Sequence, residues 1–571
     1  MKRLPLGIAL GTGALLLTAC GQTDTGADGD ANSLLRYIPA DTPFVMASIE
    51  PIPQQLNDVY LERAEPFIAQ MEATLSGLRD DLANDADGSE NPEAAAVADA
   101  VLAEFDGNLN REGLESLGIA LEQVGAIYGH GLFPVMRMGL GDPALVQAMI
   151  DRVQAKAGVS IPVNNFQGKD YWRAGGNDEP MALYVAMLED HIAFTSGPVS
   201  LEAEFLPALL GLELPERSIA DSGALTALNE EKGYGPYGSG YIKLDRVADE
   251  LFDADSLTVR WMTDMGTYDL AAIDPACAQE ARLVTAFVPR LVAGVTELTE
   301  DRFGMRYQVE TNAWLGGQLE RLVGEVPPAP SDSDRMLSLS LNLQMGRVTT
   351  FLRDSANGMV AQPFQCPQLN RLNAQLQQMA GMVNQPMPPF IGNLNGLRVE
   401  LSELDPANPS PDTVKGRIAL EMESPQMVIG MASMMIPGFE ELNIEPGADP
   451  VAVPQELMTI QTPELEAHAV MSNDAIGISL GQGEKDQLRA FLDASGDADG
   501  VFLSVDYDAA LLARLQRENL PDAADASPID AAAMAEMNAL SESYENLLGR
   551  TRFDLSLSEQ GLTIDNVQAF K

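Results

Sequence analysis

An ordered recurrence of segments sets the strongest limit on the architecture of this chain. Met187 to Gly197 reads as strand, turn, strand, and Met471 to Gly481 repeats its Met, Asp, alternating apolar and Gly positions at a constant offset. Upstream, the period-2 stretch Val135 to Met138 leads to Asp142-Pro143 and a helix with Leu145, Val146, Met149, Ile150 and Val153 on one face. Its counterpart runs from Arg417 to Met422, then Ser424-Pro425, then a helix with Val428, Ile429, Met431 and Met435. An Asp or Ser N-cap with Pro in the first turn starts a helix well, because Pro lacks an N–H that would go unbonded there. Downstream, Gly240–Asp245 and Gly500–Asp506 each precede a helix. Arg302–Tyr307 and Arg552–Leu557 alternate late in each part, and Pro43–Ser48 and Met336–Leu341 open them.

These correspondences predict an α+β protein of two tandem copies, each an antiparallel sheet packed with helices. The first unit is expected over 33–325 and the second over 335–571, joined by a Pro/Ser/Asp linker from Val326 to Asp334. Three inserted helices are expected: Leu56 to about Leu78 with a break or kink at Pro66, Pro92 to Phe105, and Ala278 to Leu298. The last places Leu283, Val284, Phe287, Leu291, Val295 and Leu298 at helical spacing, kinked at Pro289. Asp80–Ser89 reads as an acidic exposed loop.

The chain opens Met1-Lys2-Arg3, and Leu4 to Ala19 carries no charge. That run falls short of the ~20 apolar residues of a membrane span and has the length of a secretory h-region. It ends Leu17-Thr18-Ala19-Cys20, which resembles the lipobox of bacterial lipoproteins. The resemblance implies cleavage before Cys20, a diacylglycerol thioether on its sulfur and an acyl group, such as palmitate, on the new amine. Residues 1–19 would then be a leader and 20–32, rich in Gly, Asp and Thr, a flexible tether. Each buried methylene adds about 0.8 kcal/mol of membrane affinity, so several chains anchor durably. Gly21 stands where lipoproteins kept at the inner membrane commonly carry Asp, which points to the outer membrane with the body in the periplasm. Tyr37–Pro43 and Ile127–Arg137 are similar to segments of uncharacterised envelope lipoproteins. That likeness implies export and no activity.

Acidity excludes one class of partner. The chain has 35 Lys+Arg against 84 Asp+Glu, and loss of Lys2 and Arg3 with the leader takes the net charge from −49 to −51. Such a field repels nucleic acid and anionic surfaces. Besides Cys20 there are only Cys277 and Cys366, which form either one bridge or two buried thiols. An exported compartment favours the bridge.

No constellation for chemistry stands out. There is no phosphate loop, no zinc helix and no nucleophile elbow. His130, His191 and His468 are far apart, with His191 at a hairpin turn and His468 in a strand, so neither a triad nor a metal cluster is suggested. Ser495 to Asp506 has part of an EF-type calcium loop, but the residues after Gly500 read as a strand where a helix is required. Two methionine groups, Met379/Met382/Met387 and Met422/Met427/Met431/Met434/Met435, fit core packing first, then a groove for apolar ligands, then Cu(I). Tyr171-Trp172-Arg173 reads as a strand and Gly233–Gly240 as a loop, with a binding rim as the alternative.

The sequence therefore calls for no cofactor, no metal site and no catalytic residue. Its leading expectation is a non-catalytic binding or scaffolding lipoprotein, joined to the membrane through lipid on Cys20 and serving an envelope protein or a hydrophobic ligand. The alternatives are a hydrolase using carboxylates in a cleft between the copies, and a carrier of a hydrophobic molecule.

Overall fold

Asp142 stands in extended backbone and accepts a hydrogen bond from the Ala144 N–H at 2.8 Å, with Pro143 in the first turn. The helix it starts, α1 (Pro143–Ala157), stops at Gly158, whose φ of 67° only glycine adopts freely. Ser424 holds the corresponding place before a later helix but makes no capping hydrogen bond. The computed structural model describes residues 34–63, 92–120, 124–177, 179–331, 334–386, 388, 390–404, 414–436, 439, 442–457, 465–494, 498–518, 538 and 541–571. The leader, Cys20, the tether, the Asp80–Ser89 loop and Met387 lie outside these residues, as does the expected Leu56–Leu78 helix beyond residue 63.

The chain divides into two compact units, one of residues up to 273 plus 289–300, the other of 274–288 plus 301–571. This division falls earlier than the Pro-rich run. Residues 301–325 and the run itself belong to the second unit, where Val326 and Ala329 are buried.

The first unit holds β1 (Phe44–Ala47), β2 (Ala126–His130), β3 (Phe133–Gly139), β4 (Val163–Phe166), β5 (Lys169–Ala174), β6 (Met181–Met187), β7 (His191–Pro198), β8 (Ser239–Lys243) and β9 (Arg290–Leu298). They pair antiparallel in the order β4-β5-β6-β7-β3-β2-β1-β8-β9. One face carries Val45, Ala47, Tyr128, Val135, Tyr184 and Ala193 into the main core, against α2 (Glu202–Leu209) and the helices over 219–232. The other face meets α1, where Val146 and Ile150 pack on Leu140, Trp172 and Ile192.

The second unit holds β10 (Arg302–Glu310), β11 (Leu337–Leu341), β12 (Leu394–Glu403), β13 (Lys415–Met422), β14 (Val451–Ala452), β15 (Ala467–Met471), β16 (Ala475–Leu480), β17 (Val501–Asp508), β18 (Leu548–Ser558) and β19 (Gly561–Phe570). These also pair antiparallel, in the order β14-β15-β16-β13-β12-β11-β17-β18-β19-β10. Its helices include α3 (Pro275–Phe287), α4 (Met345–Ala361), α5 (Asn370–Val383), α6 (Pro425–Met435) and α7 (Lys485–Leu492). The mixed α+β class and the antiparallel pairing follow the sequence reading.

Two expectations are corrected. The helix expected from Ala278 to Leu298 is α3 followed by strand β9, because Pro289 has no N–H to continue a helix, and Val292 then faces Tyr241 of β8. Arg552–Leu557 was matched to Arg302–Tyr307, but beside β17 it occupies the place that β9 fills beside β8, whereas Arg302–Tyr307 pairs with β19.

Candidate binding surface

Arg137 of β3 points into the apolar core of the first unit and is wholly buried, and among the described residues no carboxylate bonds to it. Its Nε donates to the Tyr128 hydroxyl at 3.1 Å, and its Nη2 donates to Ala208 O at 3.0 Å and Leu209 O at 3.2 Å. Those carbonyls end α2, where the helix dipole is negative. The Tyr37 ring lies 4.4 Å from the guanidinium carbon and adds the attraction of its face. Nη1 sits 2.7 Å from His191 Nε2. A guanidinium only donates, so Nε2 accepts, and the ring proton on Nδ1 goes to Asp190 Oδ1 at 2.7 Å. Burial, with Arg137 next, pushes His191 down to about 4, so the ring is neutral. At Asp190 burial pulls upward, but the hydrogen bond from His191, with a backbone hydrogen bond and the nearby Arg36 charge, outweighs it and the carboxyl sits below its ordinary range. His191, the first residue of β7 at the β6–β7 hairpin turn, is thus also a structural member of the core.

The second unit is built the other way round. Along β11 the serines Ser338 and Ser340 are buried and the leucines Leu337, Leu339 and Leu341 are half-buried. The face that carries those serines also carries Arg398 and Glu400 on β12, Arg417 and Glu421 on β13, Ser504 and Asp506 on β17, and Arg552 and Asp554 on β18. Arg398 binds Glu421 at 2.6 Å and the Leu492 carbonyl at the end of α7 at 3.0 Å. Arg417 binds Glu400 at 2.6 Å and Gln487 at 2.8 Å, and its Nε faces Glu484 at 3.2 Å. Arg550 pairs with Asp506, and Arg552 with Asp554 at 2.7 Å. Arg335 approaches Glu400 and Glu484, both at 3.6 Å, which makes five arginines against five carboxylates.

This layer is closed by the Pro-rich run. Prolines 327, 328 and 330 donate no N–H, but the carbonyls beside them are free to accept. Ser340 donates to Pro327 O at 2.6 Å and Arg552 to Ala329 O at 2.9 Å. On the same face Leu488, Phe491 and Leu492 of α7 pack on Ala419 and Val470, with the Phe491 ring 4.9 Å from the Arg398 guanidinium carbon. Burial pushes Glu421 up while Arg398 opposes the rise.

Because side chains alternate along a strand, the opposite face of this sheet is mostly apolar, and it is incompletely covered. Ile478, Ile418, Val399, Leu339, Val505 and Phe553 are register partners in one row across six strands. All are half-buried or exposed, with Ile418 at 38% and Ile478 at 39%. In the first unit α1 buries Val146, Ile150 and Val153, whereas α6, after β13 as α1 is after β3, buries only Pro425. Met434 and Met435 of α6 are each 81% exposed, so this part of the second methionine group is surface rather than core.

Cys277 on α3 and Cys366 ahead of α5 form a disulfide within the second unit. Glu280 of α3 accepts the Gln365 and Cys366 N–H groups at 2.6 and 3.1 Å. His130 ends β2, and His468 lies buried in β15. Residues 501–508 after Gly500 form β17, as the sequence suggested, while 495–497 lie outside the described residues. Tyr171 and Trp172 are buried in β5.

Among the described residues, no group of three His, Cys, Asp or Glu could hold a metal ion, and no helix is long and apolar enough to cross a membrane. A cavity of about 10 Å³ beside Tyr128, Phe133 and Phe205 has room for a single water at most. A shallow groove of about 400 Å³ runs past Val259, Arg260 and Leu270, where Glu204 holds the Arg260 guanidinium. No family model matches the chain, and neither a curated protein nor a solved structure matches it.

Proposed function

We propose that this chain is a lipoprotein of the bacterial envelope, anchored through acyl chains on Cys20, that binds the acyl portion of a lipid on the open sheet face of its second unit. The observation that carries the reading is the inverted burial of that sheet: Arg398, Arg417, Glu484 and Asp506 are buried, while the apolar row is half-buried to exposed. Water does not wet such a row without a free-energy cost that an apolar ligand removes, at about 25 cal/mol per Å² covered. Six strands at about 4.8 Å spacing make a row about 24 Å long, enough for an extended acyl chain to lie along it. The row contains no charge, in a protein with a net charge of −49. Outer-membrane localisation with the body in the periplasm follows from Gly21 and stays part of the proposal.

The same reading includes duplication of one unit. The order β6-β7-β3-β2-β1-β8-β9 is repeated by β15-β16-β13-β12-β11-β17-β18, strand for strand. One copy has an apolar inner face and the other a charged one, which supports divergence toward binding in the second.

Two measurements test this. Mass spectrometry of native protein should show a chain that begins at an acylated Cys20, and Cys20→Ser should leave an uncleaved precursor. For binding, the mature protein should take up an apolar naphthylamine dye saturably, and palmitate should displace it. The Ile418→Gln/Ile478→Gln double variant should lose that uptake. Equal uptake by the variant, or none by the wild type, would remove the binding role.

A further inference from the structure

The helical hairpin of the second unit departs from the rest of the chain in charge. From Ser355 to Val399 there is no Asp or Glu, in a protein where 84 of 571 residues are acids. The charges in that stretch are Arg371 on α5 and Arg398, which belongs to the buried ion layer. Helix α4 adds Arg347 and Arg353 against a single Asp354. The hairpin is therefore locally cationic on a strongly anionic body.

It is also apolar on its outside. Leu352 and Met359 are seven residues apart on α4, and Leu372 and Met379 are seven apart on α5, so each pair lines one side of its helix. All four are exposed, as are Met382 at 57% and Phe390 just beyond. Each helix buries one residue only, Ala356 in α4 and Ala380 in α5. The hairpin is closed by small side chains and by Asn384 donating to Asn357 at 2.9 Å, and the disulfide at Cys366 ties the loop between the helices to α3. The apolar stripes are thus left outside.

We propose that this hairpin lies on the phospholipid bilayer, with its Leu and Met stripes at the acyl boundary and Arg347, Arg353 and Arg371 at the headgroup phosphates. The charge pattern selects this partner. A surface poor in carboxylates is the part of a −49 chain that meets the least repulsion from phosphates, and methionine and leucine fit disordered hydrocarbon. The 17 and 14 residues of α4 and α5 give lengths of about 25 and 21 Å, which suits helices lying in the interface plane. The inference rests on the membrane-anchored reading above, but it is tested without the anchor.

The test uses the mature chain made without its leader and with Cys20→Ser, so that no acyl group is present. Vesicles of phosphatidylethanolamine and phosphatidylglycerol are sedimented with it at physiological salt. We expect measurable binding that the Met379→Glu/Met382→Glu variant weakens about tenfold or more, since each change removes one apolar side chain from the acyl boundary. Leu214→Glu, at a position of the first unit about as exposed as Met382 (55% against 57%), should bind as the parent does. All three should show one unfolding midpoint, as exposed positions predict. Absence of vesicle binding by the parent, or equal binding by the double variant, overturns the proposal. So does a dimer in analytical ultracentrifugation that the double variant dissolves, because the stripes would then be filled by a second copy. Failure of acylation at Cys20 would leave these outcomes unchanged.

Discussion

Nη1 of Arg137 lies 2.7 Å from Nε2 of His191, and neither side chain reaches solvent. The cation is held by a neutral ring, a phenol and the end of a helix, and among the described residues by no carboxylate in direct contact. Arg137→Met would leave the Tyr128 hydroxyl, the His191 lone pair and two α2 carbonyls buried without their donor. We expect it to lower stability by about 3–5 kcal/mol, seen as a fall in the urea midpoint. A change below about 1 kcal/mol would contradict this account of the core.

Acid should act on the same centre. His191 is lowered from 6.5 to about 4 in the folded protein, so between those values the unfolded chain binds the proton more tightly. The stabilisation is complete above pH 6.5 and is lost as the pH falls toward 4, by about 3 kcal/mol. Asp190, also lowered, contributes with the same sign at lower pH. Urea titrations across this window should show the slope, and His191→Gln should flatten it.

Arg398 and Glu421 offer a separable pair. Arg398→Met alone should cost about 3 kcal/mol or more, because Glu421 would remain buried without its cation, and burial already pushes its carboxyl upward. Arg398→Met/Glu421→Met should recover most of that loss. A double-mutant cycle reads the coupling directly, and additive losses would show that the two side chains do not depend on each other.

The disulfide closes a loop spanning 89 positions. Replacing both cysteines by serine should lower the stability of the second unit by roughly 4–5 kcal/mol on the chain-entropy model. Thiol counting on unfolded, unreduced protein should find none among Cys277 and Cys366. Two reactive thiols would mean that the bridge does not form.

Much of the local structure was legible because short-range rules carry it. Asp142-Pro143 starts a helix for reasons contained in two residues, and Val135 to Met138 alternates as a half-buried strand must. The interior of the second unit was not legible in this way. Alternation in Leu337–Leu341 announces a two-faced strand without saying which face is covered. That choice depends on Pro327, Ala329 and α7, which arrive from other parts of the chain to accept from Ser340, Arg552 and Arg398. Arg137 was hidden for a similar reason, since two of its partners are backbone carbonyls that no side-chain motif encodes. The end of α3 was within reach, because Pro289 marked it.

The ion layer also bears on how these strands find their alignment. Moving β12 by a single position against β13 would turn Arg398 and Glu400 to the oily side and put Leu397 and Val399 on the face that carries Glu421 and Arg417. Arg398 would lose Glu421 and Arg417 would lose Glu400 in one step. Greasy faces tolerate sliding, since one leucine substitutes for another. A lattice of matched opposite charges does not, so these pairs act as a key that admits one alignment of β12 on β13 and rejects its neighbours.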